Sequence, residues 1–318
     1  MRAKSEFSTT YDATDIDENH VIVKLPRTSK YKKTLQHEAK ILRSISDLSG
    51  VTKLIDAPKD GSWLTVTPID GIAIHVWANG KPLATIIDTI IHLTVIIESL
   101  HKLGFTHGDI KPNNVLVSRD NTPTLIDFGS AASRSIDPSG TDFTPGFAAP
   151  ELLRGETYSQ ASDHYALGAL VYMLFTGTNP FRTVNEAALR HLPLISLPFP
   201  PSVLNPLIPK TLDELTLKLL FREPSARMQS FQKINDMLTA AKTETPAPPY
   251  VGMASTRESL MRTVVSGLDG TCVVVSLYGK KGSGRTKLAT SALEVAVAYG
   301  YQQNDQVNHG HITDPTVT

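Results

Sequence analysis

The chain has 318 residues, 41% hydrophobic and 19% charged, which suits one large or two smaller domains with buried cores and excludes a disordered chain. Lysine plus arginine and aspartate plus glutamate both count 31, so the formal charge is zero and the basic excess of a general nucleic-acid binder is missing. The one cysteine, Cys272, excludes an intrachain disulfide framework and a multi-cysteine zinc site, so a reducing compartment, the cytoplasm, is expected.

The N-terminal stretch MRAKSEFSTTYDATDIDEN lacks the apolar core of a signal peptide. The most apolar run, IIDTIIHLTVII at 86–97, reads as too short and too interrupted to span a bilayer, and no membrane partner is expected. In chain order, the β-branched run HVIVKLP at 20–26 predicts a strand. The stripe Leu35, Ala39, Leu42 and Ile45 predicts a helix over 35–45. A long helix is expected from Leu83 to Leu103, short strands at 114–117 (NVLV) and 124–128 (TLIDF), and mostly helix up to about Ala241. Six prolines from Pro193 to Pro209 forbid a continuous helix there and predict an ordered loop. The segment TETPAPPY at 243–250 reads as a linker and domain boundary. Beyond it, TCVVVSLYG at 271–279 predicts a buried strand running into a glycine-rich turn, and residues 286–300 an amphipathic helix.

The chemistry concentrates in HGDIKPNNVLV at 107–117, where Asp109, Lys111 and Asn114 share one short loop before a strand, and in IDFG, which carries Asp127. Phosphoryl transfer needs a carboxylate to orient the attacking hydroxyl, oxygen ligands for magnesium and cations on the phosphates. These residue types fit those tasks. The two motifs resemble those of eukaryotic-type Ser/Thr protein kinases, whose loops read H-R-D-x-K-x-x-N and D-F-G.

The resemblance implies an α+β, bilobal fold over residues 1–242, with a small β-rich N-lobe and a helical C-lobe, using ATP and Mg2+ on protein substrates. It assigns Asp109 and Lys111 to catalysis, Asn114 and Asp127 to the metal, and His107 to bracing the loop. Upstream, Lys24 in VIVK would reach the phosphates and Glu38 in QHEAKIL would hold it. Aligning WLTVTPIDG with the hinge strand puts Val66 behind the adenine and Thr67 to Ile69 along the hinge. FTPGFAAPE resembles the substrate-docking end of the activation segment, with Thr144 beside the catalytic pair, which favours Ser/Thr over Tyr acceptors. Asp163 in SDHYALG would tie down the catalytic loop, and Glu151 and Arg227 would pair.

Two departures stand out. No glycine precedes Gly50, and the best register of the glycine loop, AKSEFSTTYDA, puts Ala3, Ser5 and Ser8 at the glycine positions, with Phe7 and Tyr11 matching. Poor ATP grip is expected, together with a missing first strand. Gly108 replaces the arginine that in the family receives an activation-loop phosphate, so loop phosphorylation is not expected as an on-switch. Residues 251–318, with GKKGSGRT at 279–286, resemble the truncated start of an α/β P-loop ATPase of the AAA/STAND type, Gly279, Gly284, Arg285 and Thr286 forming the loop and Arg285 replacing its lysine. The order of the two domains is similar to hybrid sensors that run kinase, ATPase, GAF and histidine kinase, implying downstream ATPase and sensor modules as partners. The competing expectation is a pseudokinase, a nucleotide-binding or scaffolding module.

Overall fold

The computed structural model describes residues 3–4, 7–133, 144–183 and 185–244, and the isolated positions 259–260 and 288. The chain divides into two compact units, Met1–Tyr250 and Val251–Thr318. In the second unit Leu260 and Leu288 are buried. The strand and helix expected there, and Gly279, Gly284, Arg285 and Thr286, lie outside the described residues.

The first unit opens with β1 (Ala3–Lys4), β2 (Ser8–Thr14) and β3 (His20–Pro26), followed by α1 (Lys32–Ser44), β4 (Leu54–Asp56) and β5 (Leu64–Val66). The five strands form one antiparallel sheet in the order β1-β2-β3-β5-β4. The β-branched run of β3 buries Val21 and Ile22, and α1 turns Leu35, Ala39, Ile41 and Leu42 into the core that holds Ile22. The expected absence of the first strand is corrected: Ala3 pairs with Thr10 and Lys4 with Thr9. Two residues are too few to show the period-2 alternation by which a strand is read.

The chain continues through β6 (Ile72–Ala73), α2 (Ile74–Trp77), α3 (Leu83–Lys102), β7 (Phe105–Thr106), β8 (Val115–Val117), β9 (Pro123–Leu125) and β10 (Ala132–Ser133). β6, β8 and β9 form a small antiparallel sheet, and β10 pairs with β7. The strand expected at 124–128 stops at Leu125, and Ile126 to Phe128 leave the ladder to enter the site. α3 is 20 residues long and contains an 18-residue window of mean hydropathy 1.7, a length and composition that core helices share with membrane spans. Here it is a core helix, burying Ile87, Ile90, Leu93, Ile97 and Leu100 against its neighbours.

The rest of the unit is helical: α4 (Pro150–Leu153), α5 (Gln160–Thr176), α6 (Glu186–Ile195), α7 (Pro201–Leu204), α8 (Lys210–Leu219) and α9 (Phe231–Ala241). α5 is apolar on all sides because it is buried on all sides. A Cβ on its Gly168 would fall 2.7 Å from Leu219 Cβ, so glycine sets the close approach of α5 to α8. The proline-rich stretch is more regular than a loop. Pro193 sits in the last turn of α6, and Pro201 opens α7, where its missing N–H costs nothing.

Candidate active site

Lys24 stands on β3 and Glu38 on the buried face of α1, and the sheet-to-helix packing brings them together. Lys24 Nζ lies 2.6 Å from Glu38 Oε1 and 3.1 Å from Asp127 Oδ1. Burial alone would lower the Lys24 pKa, but the Asp127 and Glu38 carboxylates outweigh it and hold the ammonium above its ordinary value. Lys24 in turn holds the Asp127 carboxyl below its usual range. Asp127 adopts φ +66, in the left-handed region, where aspartate is tolerated better than most residues. The next residue, Phe128, is fully buried and meets the His107 ring edge-on at 4.9 Å.

The segment that follows β7 is held by one buried carboxylate. Asp163, on the first turn of α5, accepts from His107 N (2.8 Å), from Gly108 N (2.9 Å) and from His101 Nε2 (2.8 Å). His107 Nδ1 accepts from Asp109 N at 3.2 Å while its Nε2 donates to Ile126 O at 3.1 Å, which requires the neutral ring. Burial keeps it neutral by pushing its pKa below the ordinary imidazole value. The segment then presents Asp109, Lys111 and Asn114 side by side.

Lys111 Nζ lies 2.6 Å from Asp109 Oδ2. Thr144 Oγ1 donates to Asp109 Oδ1 at 3.0 Å and accepts from Lys111 Nζ at 2.7 Å. Asn114 Nδ2 donates to Asp109 O (2.8 Å) and to Asp109 Oδ2 (3.0 Å), so the amide's donors are spent on Asp109 and its oxygen remains for another partner. The Asp127 side chain keeps 42% of its surface exposed. An amide oxygen and a carboxylate are the hard ligands magnesium takes when it keeps waters and phosphate oxygens in its shell, so Asn114 and Asp127 fit that ion.

The remaining expected residues fall as follows. Val66 is buried in β5 opposite Ile22, two residues along β3 from Lys24. Thr67 N donates to Lys53 O at 2.9 Å, so its amide is committed to the sheet edge, and Ile69 O accepts from Gly71 N at 3.0 Å. Glu151 and Arg227 form a buried bidentate pair, both contacts 2.6 Å, and Arg227 also donates to Ala161 O, Phe221 O and Arg222 O. That full satisfaction is what makes a buried ion pair tolerable among apolar neighbours. Phe7 packs edge-on against Tyr31 at 5.2 Å, and Tyr11 is exposed on β2. Ser8 opens β2 opposite Pro26; Ser5 is outside the described residues.

Two site residues escaped sequence reasoning. His101 lies on the buried stripe of α3, where a polar side chain implies a partner, and that is the signal that could have found it. Gly108, read as a lost arginine, has φ +78, and a Cβ there would fall 2.6 Å from Ser130 O. No sequence signal announces that approach.

A family model described as protein kinase domain matches residues 4–238. The serine/threonine-protein kinase PknB of Mycobacterium tuberculosis is 31% identical over 179 residues, 54% of this chain and 28% of the relative. Serine/threonine-protein kinase Pkn1 of Myxococcus xanthus is 28% identical over 201 residues, 60% of this chain and 29% of the relative. A probable PknB of Bifidobacterium longum is 30% identical over 148 residues, 44% and 21% of the two chains. The chain thus covers less than a third of the length of each of these relatives.

Proposed function

The chain belongs to the protein kinase domain family, and from that premise we propose that it transfers the γ-phosphate of ATP to serine or threonine hydroxyls of proteins. The observation that carries the reading is the triangle of Asp109, Lys111 and Thr144 next to the Lys24–Glu38–Asp127 cluster. Asp109 orients the acceptor hydroxyl and takes its proton as the new oxygen–phosphorus bond forms and the bond to ADP breaks. Lys111, drawn to Asp109 and Thr144, places positive charge where the transferred phosphoryl group passes. Lys24 steadies the α- and β-phosphates, and Glu38 keeps it extended. Asn114 and Asp127 would hold magnesium, which supplies neutralisation of phosphate charge. Thr144 also favours Ser/Thr acceptors over Tyr, as a hydroxyl already seated between acid and lysine.

The test is incorporation of γ-phosphate into the chain itself and into Ser/Thr peptides. Wild type should incorporate it with Mg-ATP, and Asp109→Asn should not, while both show a magnesium-dependent thermal shift with ATP. A shift without transfer in wild type would favour the nucleotide-binding pseudokinase. Neither shift nor transfer would favour a scaffold.

The hybrid-sensor reading is carried by the sequence GKKGSGRT, which follows an apolar run in residues 251–318. It predicts that some nucleotide binding by the full chain survives Lys24→Met and is lost on adding Arg285→Ala. If nothing survives Lys24→Met, the second site is overturned.

A further inference from the structure

We propose that His37 is a positioning residue for phosphoryl transfer, its Nε2–H pinning the turn after Asp127 to α1 so that Glu38, Lys24 and Asp127 stay in register. The proposal rests on the kinase reading above. It starts from two adjacent residues of α1 that reach the two ends of one four-residue turn. Glu38 Oε1 accepts from Phe128 N at 3.3 Å, and His37 Nε2 bonds to Ala131 O at 2.6 Å. The turn closes on itself through Ala131 N donating to Phe128 O at 3.1 Å. On its other side, Gly108 leaves no room: a Cβ there would meet Ser130 O. Directly beyond the turn, Ala132 and Ser133 pair with Thr106 and Phe105. The turn is therefore caught between the catalytic loop and α1.

A carbonyl oxygen can only accept, so Nε2 carries the proton in the His37–Ala131 bond. Burial, aided by the nearby Lys40 charge and opposed by the Ala131 carbonyl, holds His37 below the ordinary imidazole range. At neutral pH the ring is a neutral donor. The geometry has a functional consequence because the Lys24–Glu38 pair depends on where α1 sits, whereas Asp127 depends on where the turn sits. A tether between helix and turn keeps those two positions from drifting apart. It needs no phosphate on the activation segment, and Gly108 supplies no side chain to receive one.

The test compares His37→Phe, which keeps a ring and loses the donor, with His37→Gln, which restores an N–H. In the full chain without nucleotide, amide exchange at Phe128 and Ala131 should speed up about fivefold in His37→Phe, the factor one net hydrogen bond supplies, and return toward wild type in His37→Gln. The kcat should follow the same order with the KM for acceptor peptide unchanged. Unchanged exchange in His37→Phe overturns the tether while leaving the kinase reading intact. Faster exchange with unchanged kcat makes His37 structural and also overturns the proposal. If wild type transfers no phosphate, the kinase reading fails on that count and the catalytic role of His37 falls with it, whereas the exchange data still decide whether the tether exists.

Discussion

Thr144 Oγ1 lies 3.0 Å from Asp109 Oδ1, joining the activation segment to the catalytic loop across 35 positions of sequence. The same hydroxyl accepts from Lys111, so one side chain spaces the acid from the cation. Thr144→Val keeps the volume and removes both bonds, and should lower kcat by about tenfold or more, since a misplaced catalytic pair loses orientation rather than binding. Thr144→Ser should recover most of it. Steady-state phosphoryl transfer to a Ser/Thr peptide measures this, and a Thr144→Val enzyme with wild-type kcat refutes it.

Removing Lys24 leaves Glu38 buried and Asp127 without its cation. In protein that also carries Arg285→Ala, Lys24→Met should abolish the magnesium-dependent thermal shift given by ATP, and Asp127→Asn should do the same. Breaking the buried pair should also destabilise the apo protein, on the order of 3 kcal/mol. Chemical denaturation of the apo variants and thermal shift with excess Mg-ATP check the two parts separately. A retained shift in both variants would contradict the assignment of this cluster to nucleotide and metal.

Acid should weaken the fold before the carboxylates titrate. Burial holds His37, His107 and His164 below the ordinary imidazole pKa, so the unfolded chain binds protons that the native state refuses. Their contribution is complete above about pH 6.5 and declines as pH falls from there through the folded values, by up to about 1.4 kcal/mol per pH unit for each ring that stays neutral. His164 is 2% exposed and hydrogen-bonds to Gln160 O, so His164→Leu should flatten the decline. Denaturant midpoints at pH 7.5 and 5.5 decide it; equal declines in variant and wild type would show that His164 does not contribute.

Gly108→Ala places a methyl group against Ser130 O from a left-handed backbone. The strain and the clash together should cost about 1–3 kcal/mol, and the shift of the turn should lower kcat as well. Restoring an arginine, Gly108→Arg, should therefore lose stability rather than create a phosphate-responsive enzyme. A Gly108→Arg protein as stable as wild type and stimulated by activation-segment phosphorylation would overturn this account.

What the sequence determined by itself were the kinase family's motifs and the elements that carry them. Asp109, Lys111, Asn114 and Asp127 are legible because their residue types and spacing match one motif set, β3 because of its β-branched run, and α1 and α3 because of their helical apolar pattern. Lys24 and Glu38 are legible only as a pair on a strand followed by a helix. Tertiary structure decided the rest, because the partners there are backbone atoms or bare space, which no residue type announces. His37 reaches the carbonyl of Ala131, Gly108 makes room for Ser130 O, and two residues of β1 pair with β2. A carbonyl or an amide is the same at every position, so only the path of the folded chain says which one a side chain meets.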